Sequence, residues 1–190
     1  VMTLITGIWG LMVTTRLLRG QEEDGQLEQI AAGRTTKAAA SSHLLIGFGY
    51  SFLIAFVIAW ILIAALGTDP QVKLSASGAF YMTAASLLPA VFFGALGVLT
   101  SQLAATRGRA MAYALVPLLV LFAVRGAANS ITDWDWLKQW TPFGWSDLIN
   151  AVLDPHPGWI VPTVLFGAVF TVLGLYFAKQ RDLGASILPQ

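Results

Sequence analysis

The sequence predicts an all-α polytopic membrane domain, and three observations predict it. Apolar residues make up 56% of the 190 residues and charged residues only 11%, against roughly a quarter charged in ordinary soluble domains. The apolar residues gather into long continuous runs instead of alternating with polar ones. Apart from Arg125, the charges are confined to a few short stretches outside those runs.

Lipid supplies no hydrogen-bond partners, so a spanning segment pairs its backbone internally as a helix or closes into a barrel. Unbroken apolar runs select the helix. A hydrocarbon core of about 30 Å at 1.5 Å per residue takes about 20 residues. Four runs meet that length: 44–66, 79–103, 110–128 and 159–178. The opening stretch 1–15, "VMTLITGIWGLMVTT", is apolar but too short, and it has neither the basic leader nor the small-residue cleavage site of a signal peptide. It reads as the closing part of a spanning helix whose start is missing, so the chain is expected to be a piece of a longer protein. No internal repeat or low-complexity tract divides residues 1–190, which form one transmembrane domain on this reading.

Orientation follows from Lys and Arg. If residues 1–15 run toward the cytoplasm, Arg16, Arg19, Arg34, Lys37, Arg107, Arg109, Lys179 and Arg181 fall inside, only Lys73 and Lys138 fall outside, and Arg125 lies within a span. The acids divide evenly between the sides, as the rule allows, since it concerns cations alone. Segments 16–43 and 179–190 are then cytoplasmic, and 129–158 is an outer interfacial segment.

Net charge is +1 and there are no cysteines. No global field attracts nucleic acid, and disulfides, thiolate metal sites and cysteine nucleophiles are excluded. The sequence has no Gly-x-x-x-x-Gly-Lys-Ser/Thr loop to cradle phosphates. His43 and His156 fall on opposite faces and cannot share a metal. Asp154 and His156 lack any Ser or Cys to activate, so no catalytic residue is assigned.

The polar segment "TRLLRGQEEDGQLEQIAAGRTTK", 15–37, concentrates charge in an otherwise greasy chain. Asp24 can N-cap a helix, Leu27, Ile30 and Ala31 share one face of it, and Gly33 can end it. That face is too narrow to enter a membrane, and its acids repel anionic lipid. Docking on a cytoplasmic protein is the expected role. A solvated loop is the simpler alternative.

In the outer segment, "DWDWLKQWTPFGW" holds Trp134, Trp136, Trp140 and Trp145, a density that suits the headgroup zone. A short interfacial helix ending near Pro142 and Gly144 is expected there. Arg125, near the outer end of its span, is read either as a contact for an anionic substrate or as a side chain snorkelling to headgroups. Pro89, Pro117 and Pro162 fall inside spans and can kink them. Gly47, Ser51, Ala55 and Ala59 form a small-residue stripe suited to close helix packing, within this domain or against another.

Four stretches in order resemble the ABC-2 type permeases, especially bacterial exporters of polyketide antibiotics and other drugs. "RLLRGQEEDGQLEQIAAGRTT" resembles the loop after that family's second helix, and "LTSQLAATRGRAMAYA" its inner turn between the fourth and fifth helices. "WTPFGW" resembles its outer Trp-x-Ser-Pro-x-Gly-Trp motif, with Thr141 in place of Ser, and "KQRDLGAS" its closing Arg-Asp-Leu-Gly segment. The family's chains usually carry two six-helix halves, and this chain resembles about five helices of one half.

The resemblance implies a membrane permease subunit of an ATP-driven exporter in the bacterial cytoplasmic membrane, moving a hydrophobic or amphipathic compound by alternating access. Arg19, Glu22, Glu23, Asp24, Gly25, Gln26, Leu27, Glu28 and Ile30 become the coupling segment to a separate ATPase subunit, which carries the ATP and Mg. Arg16 and Arg19 anchor the preceding helix at the inner headgroups. Trp136, Trp140, Pro142, Gly144 and Trp145 become an outer gate. The implied partners are cytoplasmic ATP-binding subunits, a second permease half, the bilayer and a greasy small molecule. A membrane scaffold that recruits a cytoplasmic protein without transport is the alternative function.

Overall fold

The computed structural model describes residues 1–25, 37–69 and 71–180, excepting the side chains of 37 and 38. The described residues are helical with no strand. The major helices are α1 (Met2–Thr15), α2 (Lys37–Gly67), α3 (Ala76–Leu103), α4 (Arg107–Ser130), the short α5 (Pro142–Leu148) and α6 (Ile160–Gln180). Four of them are long and apolar enough to cross a membrane: α2, α3, α4 and α6, the last with the turn before it. The chain is therefore described as an all-α polytopic membrane protein.

α3 and α4 begin three residues ahead of their apolar runs because local capping, not lipid thickness, sets those starts. Ser75 accepts the Gly78 N–H at 3.0 Å to start α3, and Thr106 accepts the Arg109 N–H at 3.3 Å to start α4. Both are extended-backbone N-caps that satisfy donors left over in the first turn. α2 begins at Lys37 and not at 44, so His43 lies within a helix. Pro89 and Pro117 sit inside α3 and α4. Pro162 belongs to the first turn of α6, where a missing N–H is tolerated, so no kink need follow there.

α3 is the central helix, with α1 and α6 running parallel to it. Gly10 of α1 lies directly against the backbone of Ala90, and Gly97 of α3 lies against Thr14. Gly167 and Gly174 of α6 meet Val91 and Val98. A glycine on at least one side of each contact lets these backbones approach, which is how helices gain dispersion contact when lipid removes the hydrophobic drive between them. The aromatic core forms where α3, α4 and α5 converge. Phe143 of α5 is fully buried, stacked on Phe93 at 5.2 Å and edge-on to Phe122 at 5.3 Å.

Of the small-residue stripe, Gly47, Ser51 and Ala55 are exposed and Ala59 is half-buried, and among the described residues nothing lies within 4 Å of a side chain placed at Gly47. The packing within the domain is done instead by the glycines of α1, α3 and α6. α2 touches the bundle through aromatics, with Trp9 of α1 against Phe48 and Phe52, and Phe56 and Trp60 against Phe80. Its other face, with Tyr50, Ile54, Ile58 and Ile61, is open.

The helix directions put Arg16, Arg19, Arg107, Arg109 and Lys179 at one end and Lys73 and Lys138 at the other. The first is called the basic end below, and the second the tryptophan end.

Candidate functional site

At the basic end, α1 does not stop at Thr15. It continues through a π-helical turn, Arg16–Gly20, and one further α turn, Gln21–Glu23. The wider turn coincides with the arrival of Arg19 in the protein interior. Arg19 is 2% exposed, and its Nη1 donates to Glu22 Oε2 at 2.9 Å. Its Nη2 donates to the carbonyl oxygen of Ala105, in the turn between α3 and α4. Glu22 is itself 8% exposed. Glu23 reaches the same turn from its exposed position: its Oε1 accepts the Arg107 N–H at 2.7 Å. That N–H is one of the orphan donors at the start of α4, where a carboxylate also faces the positive end of the helix dipole.

Three expectations are corrected by this geometry. Arg19 does not reach for headgroups, because its guanidinium is held by a carboxylate and a carbonyl inside the chain. Glu22 offers almost no contact surface, because the same pair buries it. Asp24 is not an N-cap: it closes the preceding helix, and Gly25 after it has φ +71°, a left-handed conformation that a helix cannot continue through. Arg16 is exposed, as an anchor requires. Gln26, Leu27, Glu28, Ile30, Ala31, Gly33 and Arg34 lie outside the described residues, as do Arg181 and the rest of the closing Arg-Asp-Leu-Gly stretch.

At the tryptophan end a 3₁₀ turn, Asp135–Trp140, leads into α5. Pro142 and Gly144 begin a helix instead of ending one. Thr141 is the N-cap, accepting the Gly144 N–H at 2.9 Å, and Pro142 occupies the first turn, where no N–H is needed. Gly144 packs against the Lys138 backbone, where an added Cβ would lie 2.2 Å from the carbonyl oxygen. The run Thr141-Pro142-x-Gly144 is therefore a folding device that turns the chain inward. Trp145 follows it into the core at 6% exposure, donating its indole N–H to the Gln139 carbonyl at 2.7 Å. Trp134, Trp136 and Trp140 stay exposed. The expected group of interfacial tryptophans thus divides into three at the surface and one in the core.

Arg125 neither snorkels nor waits for an anion. Its Nε and Nη2 grip the two carboxylate oxygens of Asp147, in α5, at 2.6 and 2.7 Å, and Asn129 Nδ2 adds a longer contact at 3.5 Å. The guanidinium lies 5.9 Å from the Phe122 ring centroid. A bidentate pair of this kind fixes orientation as well as distance, so it pins α5 to the end of α4. Asp147 carried no sequence motif. The available signal was the intramembrane cation itself, which demands a nearby carboxylate. His156 is held by its neighbour Asp154, Nδ1 to the backbone carbonyl at 2.7 Å, at the end opposite His43.

Several clefts open along the bundle, two of them with markedly different apolar linings. One, of about 530 Å³, runs between α1, α2, α3 and α6, with a largely aliphatic lining that includes Leu45, Val91, Val98, Val164 and Val172. The other, of about 310 Å³, lies at the tryptophan end between α3, α5 and α6 and is lined mainly by aromatic rings.

No protein-family model matches the chain, and no curated protein matches it.

Proposed function

We propose that this chain is a permease domain of an ATP-driven exporter of the ABC-2 type, moving a hydrophobic or amphipathic compound across a bacterial cytoplasmic membrane with its basic end inside. The observation that carries this reading is the clamp at the basic end. Arg19, Glu22 and Glu23 tie the extension of α1 to the turn joining α3 and α4. A push delivered just beyond Gly25 would therefore reach α1, the central α3 and α4 together. A loop that served only solubility has no need of a buried arginine locked to a second loop.

In this reading the docking surface is formed by Gln26, Leu27, Glu28 and Ile30, while Arg19, Glu22 and Glu23 transmit motion and do not bind the motor. The ATPase is a separate chain that holds ATP and Mg. A second permease half faces this one, and its compound passes between them. The four resembling sequence stretches support the family, and the apolar clefts suit a greasy cargo better than an ion.

The test separates docking from transmission. Leu27→Glu with Ile30→Glu is expected to abolish ATPase binding to the purified chain in lipid. Glu23→Gln is expected to keep binding but reduce ATP-driven export. Retention of binding and export in both variants would overturn the proposal.

A further inference from the structure

The smaller of these two clefts has a largely aromatic lining. Its floor is Trp145 and Phe92, both buried, with rings edge-on at 5.9 Å. Phe166 stacks nearly parallel to Trp145, at 5.8 Å and 13°, and Phe170 meets Phe92 edge-on at 5.5 Å. Trp140 stands at the rim, 72% exposed, with no ring contact among the described residues. Gln139 is the one polar side chain in the lining, and no charged residue contributes. At about 310 Å³ the space lies at the lower end of the range for small-molecule sites.

We infer that this cleft is a binding site for a planar aromatic compound of low polarity, held between Trp140 and the Trp145–Phe166 stack. Aromatic rings prefer offset-stacked or edge-to-face partners, and this lining supplies both geometries around one opening. An acyl chain gains no such preference. The chain provides its own contrast, since the larger cleft beside α2 has the mostly aliphatic wall that suits hydrocarbon tails. The position also suits the ligand, because the exposed tryptophans mark the depth where flat amphipathic rings partition. The Arg125–Asp147 pair holds α5, and with it Trp145, in place as one wall. As a statement about cargo the inference rests on the export reading, but binding itself needs no motor.

The test uses the full chain in phosphatidylcholine nanodiscs with two diazirine probes, one built on anthracene and one on hexadecane. The anthracene probe is expected to label residues 139–145 and 162–170 saturably and to be displaced by unlabelled anthracene. Trp140→Leu, at an exposed position, and Phe166→Leu, at a half-exposed one, are each expected to weaken it by about three- to tenfold. Equal, displaceable labelling by the hexadecane probe would make the cleft a lipid-tail site and overturn the inference. So would labelling that never saturates, or that ignores both variants while they remain folded. Aromatic binding without ATP-driven transport would sink the export reading alone. Transport without aromatic binding here would sink the site alone.

Discussion

Replacing Gly10 by Ala tests the packing of the bundle at its tightest point. The added methyl would sit 2.3 Å from the carbonyl oxygen of Ala90 and 2.9 Å from two more atoms of that backbone. No side chain can swing away to make room, so α1 has to shift off α3. Overpacking of this kind costs about 1–3 kcal/mol, partly offset by the better helix propensity of Ala, worth at most about 1 kcal/mol. Gly47→Ala supplies the control. Nothing lies within 4 Å of that methyl, so only the propensity gain remains, and the variant is expected to be neutral or up to about 1 kcal/mol more stable. The assay is reversible unfolding in mixed detergent micelles followed by tryptophan emission, with both variants beside the parent. A Gly10→Ala protein as stable as the parent, or a Gly47→Ala protein destabilised equally, would refute the α1–α3 contact as described.

Other contacts give separable expectations. Arg19→Ala removes the guanidinium from a buried ion pair with Glu22 and is expected to cost about 3–5 kcal/mol in the same assay; Arg16→Ala, at an exposed position, is expected to cost less than about 0.5 kcal/mol. A double-mutant cycle of Arg125→Gln and Asp147→Asn should return a coupling of roughly 0.5–3 kcal/mol, and a value near zero would remove the tether on α5. Thr141→Val should lose about 1 kcal/mol as a missing N-cap while Thr141→Ser keeps it. Equal losses from both would show that the hydroxyl does not cap.

Much of the fold was legible because lipid imposes one rule on every span. The runs that became α2, α3, α4 and α6 needed only length and continuity. Their ends were misjudged where capping chemistry overrides hydropathy. Ser75 and Thr106 start helices several residues before the greasy stretch does, and Thr141 with Pro142 starts a helix that composition suggested was ending. Helix packing was only partly legible, because a four-residue spacing of small residues does not say whether its partner helix lies in the same domain or in another. The stripe on α2 is open at Gly47, while Gly10 and Gly97 mark the close contacts between α1 and α3.

Site residues were found more readily than their partners. Arg125 was conspicuous because a charge within a span is costly, yet Asp147, 22 positions on, became its partner only once α5 folded inward. Glu22 looked like surface because acids in a polar stretch normally are, yet it is buried beside Arg19. Glu23 does stay at the surface, but its tie to the Arg107 N–H spans 84 residues of chain and no local pattern encodes it.

The most direct test of the central claim is ATP-driven movement of a lipophilic aromatic compound into inside-out vesicles holding this chain with its second half and its ATPase. The account predicts uptake that requires ATP hydrolysis, disappears with Leu27→Glu and Ile30→Glu, and is reduced by Glu23→Gln with the motor still bound. A chain that binds no ATPase, or uptake indifferent to ATP and to all three substitutions, would contradict it.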